Sequence, residues 1–251
     1  GLFSQKRSRE FIGTYLGRFR KTLPADLEDR AMTHPLATNP LWLLTLLEEL
    51  RLFGKHEEVE ERLETLLSDP PGKAEGEEPH IDDLFEHVLA RIEEDIDEDY
   101  EVEAFKALWA SYDGLTRDEL LDLTGMPPAK WSEIQNALDE NLFEASGQIS
   151  FSNGFIRKAV GDRHLPTREE QQATHRRLGE WFEGRETSLN VAQERVHQWR
   201  QTEDKDKLRE CLLGQDVFKL LSDEDEYALL ACWLELGEDV MNGVIKAFVF
   251  G

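Results

Sequence analysis

Two cysteines, Cys211 and Cys232, are all that the 251 residues contain. Thiols so few and so far apart give neither the framework of a disulfide-stapled secreted domain nor the spacing of a structural zinc site, and they fit a reducing, cytoplasmic setting. Long apolar runs are missing too, so no stretch approaches the ~20 residues of a membrane-spanning helix. The basic N-terminus, GLFSQKRSRE, is not followed by the apolar core of a secretory leader. Basic charge is scarce. Lysine and arginine number 29 against 53 aspartates and glutamates, a formal net charge of −24. That is the wrong sign for a protein that must displace counterions from a phosphate backbone. Residues 4–21 (SQKRSRE and GRFRK) hold a basic cluster, which reads as a solvated helix face or a local basic patch.

Catalytic signatures are absent as well. No G-x-x-x-x-G-K-[ST] loop is present to cradle a phosphate, and no G-x-S-x-G surrounds a serine. His56 is followed by Glu57, but the second histidine of a zinc-protease helix is missing. In DIDEDYEVE, Asp95, Asp97 and Asp99 match the first positions of a calcium loop. The glycine needed at its sixth position is Tyr100, and the bidentate glutamate needed at its twelfth is Lys106. The stretch therefore reads as a solvated acidic turn. His34, just before Pro35, reads as a turn residue or as the polar lining of a site.

What the chain does have is helical periodicity in nearly every segment. Its length suits two or three small domains better than one. A first helix is predicted over 8–21, with Phe11, Ile12, Tyr15, Leu16 and Phe19 in one stripe, and a short second helix over 24–31. Within HPLATNPLWLLTLLEELRLFG (34–54), Asn39 is a good N-cap. Pro40 takes the first helical position, where no backbone N–H is required, and Gly54 is placed to end the helix. Leu43, Leu46, Leu47, Leu50 and Phe53 form a deep stripe, and Leu41, Trp42 and Leu44 widen it enough to bury the first turn all round. HEEVEERLETLLS adds another amphipathic helix. Residues 69–80, DPPGKAEGEEPH, hold no apolar side chain larger than alanine and read as a linker.

The next unit opens with two helices, HIDDLFEHVLARIEED and YEVEAFKALWASYDG, the second ending at Gly114. A short helix follows, opened by a capping box between Thr116 and Glu119. Another starts at Pro127 or Pro128. A hairpin of 142–145 and 148–151 around Ser146 and Gly147 then completes the element order of a winged helix, and GFIRKAVGDRHL forms a further helix. Thr167 and Glu170 make a second capping box, opening a helix to about Phe182. LNVAQERVHQWRQ, DKLRECLLGQDVFKLL and DEYALLACWLELG read as antiparallel helices beginning an α-solenoid, with Trp199, Leu208, Trp233 and Leu236 as contacts between them. The expected fold is mainly α: a helical domain (1–75), a winged-helix domain with a small β-hairpin (76–165) and a helical repeat-like arm (166–251).

In DNA readers, the third helix of a winged helix enters the major groove. Here that helix, 128–141, carries Lys130, Glu133, Asp139 and Glu140 and turns Trp131, Ile134 and Leu138 to the core. The wing, ASGQIS, has no lysine or arginine. Such a surface fits protein better than nucleic acid.

THPLATNPLWLLTLLEELRLFG resembles the helical segment that follows the nucleotide-binding core in NACHT-type signal-transduction NTPases. Within them it is most similar to the branch of nephrocystin-like, telomerase-associated and bacterial tetratricopeptide-repeat proteins. Residues 108–166 resemble their winged-helix domain, and the likeness covers about 8–185. In that family a core ATPase domain precedes the helical one. The resemblance therefore implies a segment of a longer protein in which ATP or ADP, with Mg, is held through the upstream core and none is bound by this chain alone. The family's G-x-P motif heads the helix that closes over the nucleotide base. Thr38 stands here where its glycine is common, while Pro40 and Leu41, beside Asn39, match its proline and following leucine. The same proline is also a good helix start with no ligand role. The family's His-Asp motif after the wing falls on Asn153 and Gly154, and Phe155, Ile156 and Arg157 match the run behind it. Asparagine can donate a hydrogen bond but cannot become a cation, so the family's charged grip on ADP is not carried over.

Three readings follow. One is a regulatory segment of a switch ATPase that helps clamp nucleotide, relays sensing of a protein ligand to an effector and self-associates on activation, in defence or other signalling. Another is a helical protein-interaction scaffold with no nucleotide role. The third is a winged-helix transcription regulator, against which the acidic surface argues.

Overall fold

The structure is a computed structural model. It describes residues 1–53, 55–70, 73, 76–95, 100–138 and 141–237. Among these are fourteen α-helices and one three-stranded antiparallel sheet. The chain divides into two compact units. Unit 1 holds Gly1–Glu98, Glu133–Asn141 and Ser152–Arg163, and unit 2 holds Asp99–Ser132, Leu142–Phe151 and His164–Gly251.

Unit 1 is built on α1 (Gln5–Arg18), α2 (Ala25–Thr33), α3 (Pro40–Arg51), α4 (His56–Leu67) and α5 (Ile81–Asp95). It also takes the end of α8 (Pro128–Leu138) and nearly all of α9 (Gly154–His164). α1 begins three residues earlier than the periodicity predicts, because Ser4 Oγ accepts from Arg7 N at 3.3 Å and caps it. Its far end closes with Arg20 N donating to Gly17 O at 3.1 Å and Lys21 N to Leu16 O at 3.0 Å. Of the predicted stripe, Ile12, Tyr15 and Leu16 are buried, and Phe19 is 41% exposed. In α3, Trp42, Leu43, Leu46, Leu47 and Leu50 are buried. Leu41 and Leu44 are only half-buried, so the first turn is not covered all round. The helix stops at Arg51, short of Phe53, and Gly54 lies outside the described residues.

A carboxylate ties α3, α4 and α5 together. Glu49 is 3% exposed. It accepts from Arg62 of α4 at 2.5 Å and from Arg91 of α5 at 2.8 and 3.0 Å. An ionised group can be buried like this only when charge-assisted bonds replace its water. The cluster draws α5 into the same unit as α1–α4, whereas the sequence places a domain boundary within 69–80.

Unit 2 contains α6 (Tyr100–Ala110), β1 (Leu115–Thr116), α7 (Arg117–Thr124), the start of α8, β2 (Leu142–Ala145) and β3 (Gln148–Phe151). The arm follows: α10 (Arg168–Glu183), α11 (Leu189–Gln201), α12 (Lys205–Leu213), α13 (Gln215–Glu224) and α14 (Glu226–Glu235). The hairpin falls where the sequence puts it. Ser146 and Gly147, with φ of 53° and 82°, form the two-residue turn whose twist suits paired strands. The unforeseen element is β1, which pairs Leu115 with Ile149 and Thr116 with Gln148, giving the strand order β1-β3-β2. To reach it the chain leaves α6 at Ala110, four residues before Gly114. Gly114 has φ +100°, and a Cβ there would lie 2.6 Å from Ile149 O, so only glycine passes. In the arm, DKLRECLLGQDVFKLL is two helices, broken at Gly214. Trp199, Leu208, Leu212, Phe218, Trp233 and Leu236 share one core there.

Candidate functional site

At the start of α3, Asn39 Oδ1 accepts from Leu41 N at 3.0 Å and from Trp42 N at 3.3 Å, with Pro40 at the first helical position. His34 is a turn residue. Its Nδ1 accepts from Leu36 N at 3.2 Å, and its ring stacks on Trp42, centroids 4.4 Å apart and nearly parallel. Burial lowers its pKa, which keeps the stacked ring neutral. Phe3 N donates to Thr38 O at 2.8 Å, so the N-terminal segment lies against the loop before α3. Pro40 and Leu41 are half-buried.

Asn153 performs the same local task at α9. Its Oδ1 accepts from Phe155 N at 3.0 Å and Ile156 N at 3.2 Å, and its Nδ2 donates to Ser152 Oγ at 3.2 Å. The amide is thus engaged as the cap of its own helix. Among the described hydrogen bonds none joins the α3 start to the α9 start. On α8, Trp131, Ile134 and Leu138 are buried as the pattern predicts, while Ser132, Glu133 and Asn136 are exposed. Asp97, Asp99, Asp139 and Glu140, and the side chain of Asp95, fall outside the described residues.

The richest polar arrangement lies in unit 2 and was not anticipated. Glu194, 3% exposed, accepts from Tyr112 N at 2.8 Å and from Gln198 Nε2 at 2.8 Å. Gln198 Nε2 also donates to Ala110 O at 3.0 Å. That orients the amide so that its oxygen receives the His175 Nδ1–H at 2.6 Å. Burial pushes the Glu194 carboxyl up to about 7, against the lowering effect of these donors. The signal was readable, because Glu194 and Gln198 stand three and seven residues after buried Val191, on the apolar stripe of α11.

Beside this network runs a groove of about 240 Å³ along α11, α13 and α14, lined among others by Tyr112, Val196, His197, Arg200, Leu229 and Cys232. The His197 ring lies 5.4 Å from that of Tyr112 and 5.6 Å from that of His175. Arg200 Nε bonds Glu235 at 2.9 Å. Aromatic, aliphatic and charged groups together suit a side chain from another polypeptide. Burial raises the pKa of the Cys232 thiol in the groove and pushes that of Cys211, elsewhere in the arm, up to about 12, which disfavours the thiolate at both. Among the described residues no cluster of His, Cys, Asp and Glu could hold a metal ion, and no helix is long and apolar enough to cross a membrane.

No known family profile matches the chain, and no solved structure matches it. A TPR repeat-containing protein of Dictyostelium discoideum is similar to it, 27% identical over 239 residues that cover 92% of this chain. The likeness is to a helical repeat protein. The chain spans 14% of that relative's length.

Proposed function

We propose that this chain is a helical protein-interaction module, with the arm as its binding element, working within a longer protein. The observation that carries the reading is the arm groove, where Tyr112, His197 and Arg200 offer aromatic and charged contacts above an apolar floor. Tyrosine and arginine anchor interfaces more often than most other surface groups do. The name of the similar protein, a TPR repeat-containing protein, agrees with it. The test is to select peptides on the whole chain from a displayed random library and titrate the best by calorimetry. Tyr112→Ala and His197→Ala should each weaken it by about tenfold, the loss of one good contact. Peptides that bind both variants as well as the wild type would remove the groove from the account. Micromolar ATP binding by this chain alone would argue against the scaffold itself.

A second reading keeps the module inside a NACHT-type switch ATPase. The winged-helix order of β1, α7, α8, β2 and β3 favours it, and the helix start at Pro40 is compatible with it. In this reading Asn39, Pro40 and Leu41 border the base of a nucleotide held, with Mg, by an upstream core, and the assembly self-associates when ATP replaces ADP. Asn39 and Asn153 are the weakest members of the set, because the side-chain oxygen of each already caps its own helix. The readout is ADP release from the full-length protein, which Pro40→Gln should speed. Unchanged release would leave the scaffold reading alone.

A further inference from the structure

A separate cavity, of about 320 Å³, lies in unit 1, where the end of α1, the loop to α2, the end of α3 and the start of α4 meet. Leu16, Leu50 and Val59 are part of an apolar floor, and the charged residues lining it are Arg20, Lys21 and Lys55. No carboxylate is among the described lining residues. In a chain with 53 acidic and 29 basic residues, this reverses the prevailing charge.

The three cations are held differently. Lys21 Nζ donates to Phe53 O at 2.7 Å and to Arg51 O, so it is fixed and offsets the negative end of α3. Lys55 bonds Glu58 at 2.8 Å with its side chain 77% exposed, a surface pair that exchanges readily. Arg20 is exposed, and its φ of +56° puts it in the left-handed region. It occupies the position after the α1 cap where that geometry normally selects glycine. A strained arginine kept at the mouth of an apolar cavity is the kind of local cost that accompanies a binding role.

We propose that this cavity docks an acidic, aliphatic peptide segment of a partner protein. One aliphatic side chain enters the floor beside Leu16, Leu50 and Val59, and a neighbouring carboxylate engages Arg20 and Lys55. Charge complementarity selects this occupant. At physiological ionic strength the field is screened over about 8 Å, so a peptide carboxylate at the cavity meets the local cations rather than the net −24. A bare inorganic anion would leave the apolar floor unused. The site stands whether or not the arm groove binds anything.

The experiment uses the whole chain and a fluorescein-labelled peptide alternating glutamate and leucine, read by fluorescence anisotropy at physiological salt. Saturable binding is expected, several-fold tighter than to a glutamate–serine control. The double variant Arg20→Glu, Lys55→Glu should weaken it by about tenfold or more. Arg20→Gly separates binding from folding. It relieves the backbone strain, so the melting midpoint should rise by about 2–4 °C, while peptide affinity falls. Equal affinity for the serine control, or an Arg20→Gly protein with unchanged peptide affinity, would overturn the proposal. So would a dimer seen by sedimentation that Arg20→Glu dissolves while the peptide fails to bind, which would assign the face to a second copy.

Discussion

Replacing Gly179 in α10 by alanine sets two effects of similar size against each other. Alanine is favoured over glycine inside a helix by about 1 kcal/mol. Against that, the new Cβ would lie 3.0 and 3.1 Å from Cζ2 and Cε2 of Trp199 and 3.2 Å from Cβ of Gln198. All three atoms belong to α11, and neither side chain is free to yield. Trp199 is 1% exposed within the arm core, and Gln198 is fully buried and bonded to His175, Glu194 and Ala110. Relief therefore requires α11 to shift as a body by a few tenths of an ångström. Overpacking of a pinned site costs about 1–3 kcal/mol. We expect it to exceed the propensity gain, for a net loss of about 1 kcal/mol and a fall in Tm of about 2–4 °C. Gly13→Ala is the control, because that glycine is exposed on α1 with nothing within 4 Å of its added Cβ. It should gain about 0.5–1 kcal/mol. Urea unfolding and thermal melts of both variants decide the matter. A Gly179→Ala protein as stable as wild type would refute the claim that Trp199 and Gln198 are pinned.

Asn153→Ala should destabilise the protein by about 0.5–2 kcal/mol in urea, the range for a lost N-cap. No loss would mean that the hydrogen bonds to Phe155 N and Ile156 N carry no weight. Glu194 makes stability depend on pH. Its folded pKa of about 7 lies above the ordinary 4.5, so the folded state holds the proton more tightly than the unfolded chain. The contribution is complete below about 4.5 and disappears as pH rises through 7, a span worth roughly 3 kcal/mol. Comparing urea stability near pH 5 and near pH 8, Glu194→Gln should lack that part of the decline; equal slopes in both proteins would contradict the assignment.

Features set by neighbours within one or two turns were legible in the residues alone. Asn39 capping α3, the Thr116–Glu119 and Thr167–Glu170 boxes and the Ser146–Gly147 turn all stand where local chemistry puts them. The buried faces of Trp131, Ile134 and Leu138 and of Trp199, Leu208, Trp233 and Leu236 follow from helical spacing. Even the role of Asn153 was open to the same local reasoning, since an asparagine before a helix is a cap first. Tertiary structure alone decided the rest. β1 is two residues long and exists only because β3 lies beside it. Glu49 is tolerable inside unit 1 because Arg91, forty-two positions away, arrives with Arg62. Glu194 and Gln198 look like flaws in an apolar stripe until Ala110, Tyr112 and His175 supply their partners. Gly179 reads as a weak spot in a helix until Trp199 is seen against it. Local rules act through a few covalently adjacent groups, whereas the cost of burying a charge or adding a methyl depends on atoms that only the folded chain brings into reach.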